Sequence, residues 1–528
     1  MSALLAKLRK NRTQWIILAI LALLLWMALR GMDPKDWAIT LLRGLSVGAV
    51  TFLVASGFSL IFGLLDVLNL AHGTLFMLGA YIGWTIYVRP DTFIDLLTPI
   101  ALLAAGFTLI AVFQGMVMRL RLPRALTRLW PWFVMLLGVI FLVYTLQRYP
   151  VTKWDLNQYQ NSPVTNAFLA DKGQFTLPAP KQFSGISPVA DLGGILLGSL
   201  LITLGLAGFA SWRSPAAFLE ADFQPARRLP RSTWLIFLGL LVVGIGAYLF
   251  NDPLTLALSH LNTSWMFLVA LLVATLAGIV MGALMESTLI RPLYSRPIYQ
   301  LMLTLGLSAV GIEVVRAIWG RPEFTMPKPA LFDGTGKGCP ANNLADYFAH
   351  KCSTILLLGG RVRTYNEIFI PLVGLVVLIG VWILLQRTRM GMIIRAGVQD
   401  REMVEALGIN VRRVFTLVFA LGVGLAALGG VLAGPSMGLS SVMGDNLLLN
   451  ALIALAIGGL TSYPGAAAGS VLVGLMQQFI IKYGQIGIHI PFLAAPLKPT
   501  PPLVPASTVL LMVIVLLIMP QGLFGRKE

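Results

Sequence analysis

The chain reads TRMGMIIRAGVQDREMVEALGINVRR over residues 388–413, between two long apolar runs. A charged stretch of this length cannot cross the core of a bilayer, so we expect it to lie in water or against another protein. Residues 400–407 have a helix-forming composition, and Gly408 is placed as a helix stop. Three apolar residues recur there at helical spacing: Met403, Val404 and Leu407. The stretch predicts either a short docking helix or a basic loop that only fixes topology.

The composition indicates an integral membrane protein. Of the 528 residues, 57% are hydrophobic and only 12% are charged, and the mean hydropathy is +0.82. Soluble domains carry roughly 25% charged residues. The net charge of +17 is compatible with nucleic-acid binding, but the positive residues lie in short loops between apolar runs. That distribution is typical of the positive-inside rule, so we expect no nucleic-acid partner.

The fold class predicted from hydropathy is an all-α polytopic helical bundle. At roughly 20 apolar residues per span, about fourteen spans are expected, near 13–30, 38–60, 70–88, 97–118, 129–147, 191–211, 233–250, 265–286, 298–319, 367–386, 413–434, 447–463, 466–483 and 506–519. An even number of spans puts both termini on the same side of the membrane. The short loops on that side hold most of the Lys and Arg, which predicts that both termini are cytoplasmic.

The two cysteines, Cys339 and Cys352, lie in one polar loop on the predicted outer side. Their closeness and location favour a disulfide, and the alternative is two unpaired thiols. No His/Cys cluster surrounds them and the chain has only 4 His, so no metal site is expected.

Two groups of polar residues stand out within the apolar runs. Asn69 and His72 lie beside Gly73 at the start of a span, which indicates a helix N-terminus or a broken helix near the membrane face. Their side chains either face a solute path or serve only in capping and packing. Glu313 and Arg316 are three residues apart in a later span. They form either a mutually satisfied ion pair near the outer interface or part of a solute site.

The chain lacks the sequence motifs of the common enzymes. It has no phosphate-binding loop of the Gly-x-x-x-x-Gly-Lys-Ser/Thr type, no His-Glu-x-x-His and no Gly-x-Ser-x-Gly. We therefore expect no catalytic residues, no cofactor and no ATP hydrolysis by this chain.

Six motifs in order resemble the permeases of branched-chain amino acid ABC importers, over about 40–90 and 262–527. They are Gly44–Gly63, the run from Asn69 to Tyr81, Glu286 to Ser308, Arg395 to Val414, Gly459 to Gly469, and Pro520 to Lys527. The resemblance implies an ABC importer permease fold. It also makes Thr304 and Gly459, together with Asn69, His72 and Gly73, candidates for the translocation path.

The resemblance implies partners as well. They are a second permease subunit, two cytoplasmic ABC ATPase subunits and a periplasmic solute-binding protein, in the inner membrane of a bacterium. The loop 387–413 is similar to the coupling loop that engages the ATPase. Its candidate contact residues are Arg395, Asp400, Glu405, Ala406, Leu407 and Gly408.

The predicted organisation is an extra N-terminal span in 1–37, a first core part in 38–91, an inserted four-span block in 92–262 and a second core part in 263–528. The function implied is ATP-driven import of branched-chain amino acids or of related small solutes such as urea and short amides. A secondary transporter or channel that needs no ATPase is the alternative, and a membrane scaffold without a solute path is a third reading. Because specificity in such importers lies largely with the binding protein, the sequence does not identify the solute.

Overall fold

A computed structural model describes residues 32–119, 124–149, 187–213, 231–320, 323–399, 401–488, 496 and 498–524. The chain divides into two compact units. One consists of Met1–Trp84 and Thr263–Glu528, and the other of Thr85–Asn262. The predicted insert 92–262 falls within the second unit, and the predicted first span, 13–30, lies outside the described residues.

The described residues are mainly helical. In chain order the helices are α1 Pro34–Leu65, α2 His72–Val88, α3 Pro90–Thr108, α4 Ile110–Arg119, α5 Arg124–Leu146, α6 Pro188–Arg213, α7 Arg231–Leu249, α8 Asn251–Ser259, α9 Thr263–Met285, α10 Pro297–Trp319, α11 Leu344–His350, α12 Ile370–Arg387, α13 Arg389–Gln399, α14 Arg401–Ala406, α15 Val411–Met437, α16 Met443–Gly458, α17 Tyr463–Ile486 and α18 Leu503–Ile518. Strands β1 Thr354–Leu357 and β2 Gly360–Arg363 form an antiparallel hairpin with Thr354 opposite Arg363.

The helices confirm an all-α membrane protein with many spans. Within the described residues, nine helices are long and apolar enough to cross a membrane. A tenth span results if α7 and α8, which meet at 80°, count as one. Helices α16 and α18 are apolar but shorter. The count of fourteen spans stays a prediction.

Helix α1 forms the core of the first unit, since every residue from Gly48 to Ile61 is buried. A helix that is apolar on all sides is expected to be surrounded by others, and α15, α16, α17 and α12 pack around it. Gly474 of α17 lies against the α1 backbone at Gly44 and Gly48. Small residues at such contacts let two membrane helices approach closely.

The loop between α10 and α12, described over residues 323–369, carries α11 and the hairpin. Cys339 and Cys352 are joined there by a disulfide with a Cα–Cα distance of 5.4 Å. Glu367 is fully buried at the end of the loop, where it accepts a hydrogen bond from Arg43 of α1 (3.0 Å) and one from the Arg363 backbone N–H (2.8 Å). These bonds fasten the loop to the core helix.

In the second unit, α5 and α6 pack through Gly138 and Gly198. Two hydroxyls bond to backbone carbonyls of other helices: Ser199 donates to Leu103 (2.7 Å) and Thr98 to Gly244 (3.0 Å). Such bonds satisfy hydroxyls that apolar surroundings would otherwise leave unpaired.

Candidate functional site

The first candidate site is the break between α1 and α2. Helix α1 ends at Asp66, whose φ of +54° is left-handed, and α2 begins at His72 after a non-helical segment. The His72 side chain is fully buried, and its Nε2 lies 3.1 Å from the carbonyl oxygen of Val54. Since Val54 is about 16 Å from the end of α1 at about 1.5 Å per residue, α2 starts beside the interior of α1. Of the two forms predicted from the sequence, a helix N-terminus or a broken helix, the structure has a helix N-terminus at His72.

Helix α10 meets this break with a polar stripe. Its buried positions include Gln300, Thr304 and Ser308, one turn apart, while many of its apolar side chains are exposed. The Thr304 hydroxyl accepts a hydrogen bond from the Leu70 backbone N–H (3.2 Å), and the Ser308 hydroxyl lies 2.5 Å from that of Thr74. Two of the predicted path residues, Asn69 and Thr304, are thus brought to the same place.

Gly73 allows a third helix to approach. A Cβ atom on Gly73 would overlap the carbonyl oxygen of Gly444, and a Cβ on Gly444 would overlap that of Gly73. The first turns of α2 and α16 therefore touch backbone to backbone. Because helix N-termini carry partial positive charge, this junction is an electropositive point inside the first unit.

Two buried polar atoms at this junction have no hydrogen-bond partner among the described residues, namely Asn69 Nδ2 and His72 Nδ1. Asn69 Oδ1, in contrast, accepts from the Ala71 backbone N–H (3.1 Å). An unpaired buried polar group costs about 1–3 kcal/mol and is uncommon in folded proteins. One amide nitrogen and one imidazole nitrogen are thus unpaired in the interior of the first unit.

Gly459, the fifth predicted path residue, lies elsewhere. It follows α16 with φ +108° and packs against Gly522 of the C-terminal segment. The backbone N–H groups of Leu523 and Phe524 donate to the carbonyls of Ile457 and Gly458. The structure thus gives Gly459 a contact with the chain end and does not bring it to the junction.

The second candidate site is the basic loop of residues 388–413. It contains two helices, α13 and α14, of which the sequence predicted only the second; the glycines of α13 lower its helix propensity. Asp400 lies outside the described residues. Val404 is buried in a cluster with Val411 and Phe415, whereas Leu407 has an exposed fraction of 73%.

The remaining predicted contact residues of this loop face solvent. Glu405 and Ala406 are exposed on α14, and Arg395 is exposed on α13 with its guanidinium donating to Gln386 Oε1 (2.7 Å). Among the side chains of α14 that the structure describes, Val404 is buried, and Met403, Glu405 and Ala406 are exposed.

Gly408 ends α14 through a left-handed turn. Its φ is +82° and its N–H donates to the Glu405 carbonyl (3.0 Å). A Cβ atom at this position would meet nothing within 4 Å. Glycine is therefore required by the backbone conformation and not by lack of space.

The buried carboxylate of Glu286, beside the loop of residues 388–413, was not predicted as a site from the sequence. Glu286 is fully buried in a π-helical turn after α9. It accepts hydrogen bonds from Arg291 (2.7 and 3.2 Å), from the Tyr294 hydroxyl (2.7 Å) and from the Thr416 hydroxyl of α15 (2.7 Å). The Tyr294 ring meets Phe415 edge-to-face at 6.2 Å. The signal in the sequence was a Glu at the end of an apolar run, followed closely by Arg-Pro.

These features define a class of protein. It is a polytopic helical membrane protein with a helix N-terminus buried at His72 and a partly buried loop outside its spans, and the described residues hold no group of His, Cys, Asp or Glu that could bind a metal ion. The chain matches the family described as the permease component of branched-chain amino acid transport systems, over residues 40–214 and 231–520. It belongs to that family, and as a permease component it is a transport protein and not an enzyme.

Individual relatives agree with this assignment. The high-affinity branched-chain amino acid transport permease LivH of Salmonella typhimurium is 27% identical over 288 residues, which is 54% of this chain and 83% of LivH. The high-affinity branched-chain amino acid transport permease BraD of Pseudomonas aeruginosa is 28% identical over 183 residues, which is 32% of this chain and 51% of BraD. The fructose import permease FruF of Bifidobacterium longum is 32% identical over 124 residues, which is 22% of this chain and 34% of FruF. No solved structure matches the chain significantly.

Proposed function

We propose that this permease component is the membrane subunit of an ATP-driven importer whose ATP hydrolysis is carried out by separate ATPase subunits. The solutes would be branched-chain amino acids or related small solutes such as urea and short amides. The proposed assembly contains a second permease subunit, two cytoplasmic ATPases and a periplasmic binding protein. It would lie in the bacterial inner membrane with both termini cytoplasmic, and Arg395, Asp400, Glu405, Ala406, Leu407 and Gly408 would face the ATPase.

The observation that carries the proposal is the construction of α14. A short helix that buries Val404 lies outside the spans and is followed by the exposed Leu407 and by the left-handed Gly408. Exposed apolar residues on a helix are suited to insertion into a groove of another protein. A loop that only fixed topology would need its positive charges and not an exposed leucine.

The Glu286 cluster supports a route from this loop to the junction. Val404 and Phe415 belong to a cluster that includes Tyr294, and Tyr294 donates to Glu286 at the end of α9. The next helix, α10, carries Thr304, which accepts from Leu70 at the break between α1 and α2. A push on α14 would therefore reach Glu286 through Tyr294, and from there the turn that leads into α10, the helix that carries Thr304 of the proposed path.

The name of FruF indicates a different solute from the names of LivH and BraD. That relative is described as importing fructose, whereas LivH and BraD are described as transporting branched-chain amino acids. We propose the solute class in the name of LivH, because LivH aligns over a larger share of this chain than FruF does, 54% against 22%.

The test uses Gly408→Val in the tagged full-length chain, expressed with its ATPase subunits. A β-branched residue at this left-handed position costs about 1–2 kcal/mol, so the end of α14 should be displaced while the spans stay folded. We expect normal membrane insertion, loss of ATP-driven uptake in proteoliposomes and loss of co-purifying ATPase. Gly408→Asn is the matched control, because Asn tolerates positive φ, and it should keep both activities.

Glu405→Arg tests the same surface by charge reversal and should weaken ATPase binding without changing insertion. Full uptake and full ATPase association in the Gly408→Val variant would contradict the coupling role. Uptake by the purified chain without any ATPase would instead support the secondary transporter or channel.

A further inference from the structure

Polar side chains lie together on one surface of α16 and α17. Asp445 and Asn446, near the start of α16, are exposed, and Leu449 follows with an exposed fraction of 56%. Asn450 is half-buried, and its Oδ1 accepts a hydrogen bond from Gln477 Nε2 of α17 (3.2 Å). A carboxylate and three amide groups from two helices thus share a surface, which we call the α16–α17 face.

The start of α16 lies at the depth of the middle of α10. Gly444 touches the backbone of Gly73 and Thr74, and the Thr74 hydroxyl lies 2.5 Å from that of Ser308. Ser308 is the central residue of the 23 in α10, about 17 Å from either end at about 1.5 Å per residue. Asp445, which follows Gly444, is therefore exposed near the middle of the membrane-spanning region.

Lipid is an unsuitable neighbour for the α16–α17 face. Ionisable side chains in a span are costly in hydrocarbon and usually face a water-filled cavity or another protein chain. Glu313 of α10, which is also exposed, is paired with Arg316 (2.7 Å), whereas no described residue forms an ion pair with Asp445. The Asp445 carboxylate therefore needs water or a group beyond the described residues.

Water suits this face better than a dry contact with another protein. A carboxylate that is buried without a partner at an interface is strongly destabilising, because it loses its hydration. The amides of Asn446, Asn450 and Gln477 both donate and accept hydrogen bonds, so they can exchange partners with water and with a passing solute. Helices that begin near the middle of the membrane, as α16 does, border the solute site in many transporters.

We propose that the α16–α17 face is one wall of the solute path, that the second permease subunit forms the opposite wall, and that Asp445 makes the path selective against anions. The amides exchange hydrogen bonds with the solute, and the carboxylate repels solutes of net negative charge. The path thereby extends from the buried junction at Gly73 to a surface that water reaches. This inference rests on the proposed function, because it places the path of that importer and adds a rule for the charge of its solute.

The first experiment measures whether water reaches the face. The two cysteines of the chain are joined in a disulfide, so Leu449→Cys adds a single free thiol. In proteoliposomes of the assembled transporter, a charged, membrane-impermeant methanethiosulfonate present on both sides should label this thiol. Val376→Cys on α12, at a residue with a 62% exposed fraction, is the lipid-facing control and should not react. A Leu449→Cys thiol as unreactive as this control, as expected in lipid or in a dry subunit interface, overturns the proposal.

The second experiment tests the charge of Asp445. Asp445 and Leu449 are four residues apart on α16, so their Cβ atoms lie about 6 Å apart. In water, a carboxylate at that distance speeds labelling by a trimethylammonium reagent and slows labelling by a sulfonate reagent, together by about tenfold. In the Leu449→Cys background, Asp445→Asn should therefore lower the ratio of the two labelling rates about tenfold.

The matched control is Asp333→Asn, which removes the same charge from an exposed position in the loop of residues 323–369 and should leave the ratio unchanged. An Asp445→Asn variant with an unchanged ratio, or equal changes in both variants, overturns the role of Asp445.

A third measurement connects the face with transport. Complete labelling of Leu449→Cys should abolish ATP-driven uptake, because the added group blocks the path, and uptake that survives complete labelling overturns the proposal. The labelling rates themselves need neither ATP nor bound ATPase. The α16–α17 face can therefore prove dry while ATPase coupling stands, and coupling can fail while the thiol is labelled.

Discussion

Two loops outside the spans are built in opposite ways. The loop of residues 323–369 is cross-linked by the Cys339–Cys352 disulfide, by a hairpin and by the buried Glu367. In the described part of the loop of residues 388–410, Ile394 and Val404 are buried in apolar clusters and the Asn410 side chain caps α15. The first loop is therefore cross-linked and tied to α1, whereas the second leaves residues at the end of α14 exposed.

Each loop borders one fully buried glutamate, and the surroundings of the two differ. Glu367 is held by two arginines whose side chains are 40% and 48% exposed, Arg43 and Arg363. Glu286 is held by Arg291 and by two hydroxyls, on Tyr294 and Thr416, from separate parts of the chain. The first glutamate fastens a loop to α1. The second joins α9, the turn after it and α15.

The largest effect is expected at Glu286. Arg291→Leu leaves the buried carboxylate without its counter-charge. Removing one partner of a buried ion pair costs about 3–5 kcal/mol, and we expect the lower end of that range because the Arg291 side chain is 34% exposed. We expect a clear drop in the melting temperature and in the yield of monodisperse protein. Glu286→Gln, which keeps hydrogen-bonding capacity, should lose less, and R291L/E286L should be more stable than Arg291→Leu alone. Unchanged stability of Arg291→Leu would place the carboxylate in water.

The disulfide should have the next largest effect. Closing a loop between residues 13 apart contributes about 3 kcal/mol in the chain-entropy model. The Cys339→Ser/Cys352→Ser variant should therefore unfold at lower temperature, with ATPase association intact, because the change is confined to the first loop. Loss of ATPase association in this variant would remove the contrast between the loops.

Substitution of one exposed leucine in each loop tests whether the loops differ in ATPase binding. Leu407 and Leu358 have similar exposed fractions, 73% and 69%. Both Leu407→Ser and Leu358→Ser should change stability by less than about 0.5 kcal/mol. Only Leu407→Ser should weaken ATPase binding, by about tenfold in Kd if the leucine fills a groove. Titration of the purified ATPase onto nanodisc-embedded variants gives both values, and equal affinities would count against α14 as the contact.

The smallest effect is expected in the turn of the hairpin. Leu358 and Gly359 form a two-residue connection with φ +50° and +76°. Turns with positive φ at both positions favour Asn-Gly, so Leu358→Asn should stabilise the protein by about 0.5 kcal/mol. Differential scanning fluorimetry of the variant against wild type should show a small rise in melting temperature, and a fall would mean that Leu358 packs against another part of the assembly.

The sequence by itself determined the membrane class, the approximate span positions and the short helix before Gly408. These depend on hydropathy, helix propensity and the conformational freedom of glycine, all of which are local properties of the chain. The break at His72 was also visible, because a polar pair and a glycine interrupt an apolar run.

Only the tertiary structure decided which polar residues meet. It brought Thr304 to Leu70 and Thr416 to Glu286, and it placed Gly459 against the chain end instead of at the junction. Residues that are far apart in sequence become neighbours through helix packing, which depends on side-chain shape along whole helices and not on any local pattern. The sequence therefore named most of the candidate residues, and the packing of α1, α2, α10, α15 and α16 determined which of them can act together.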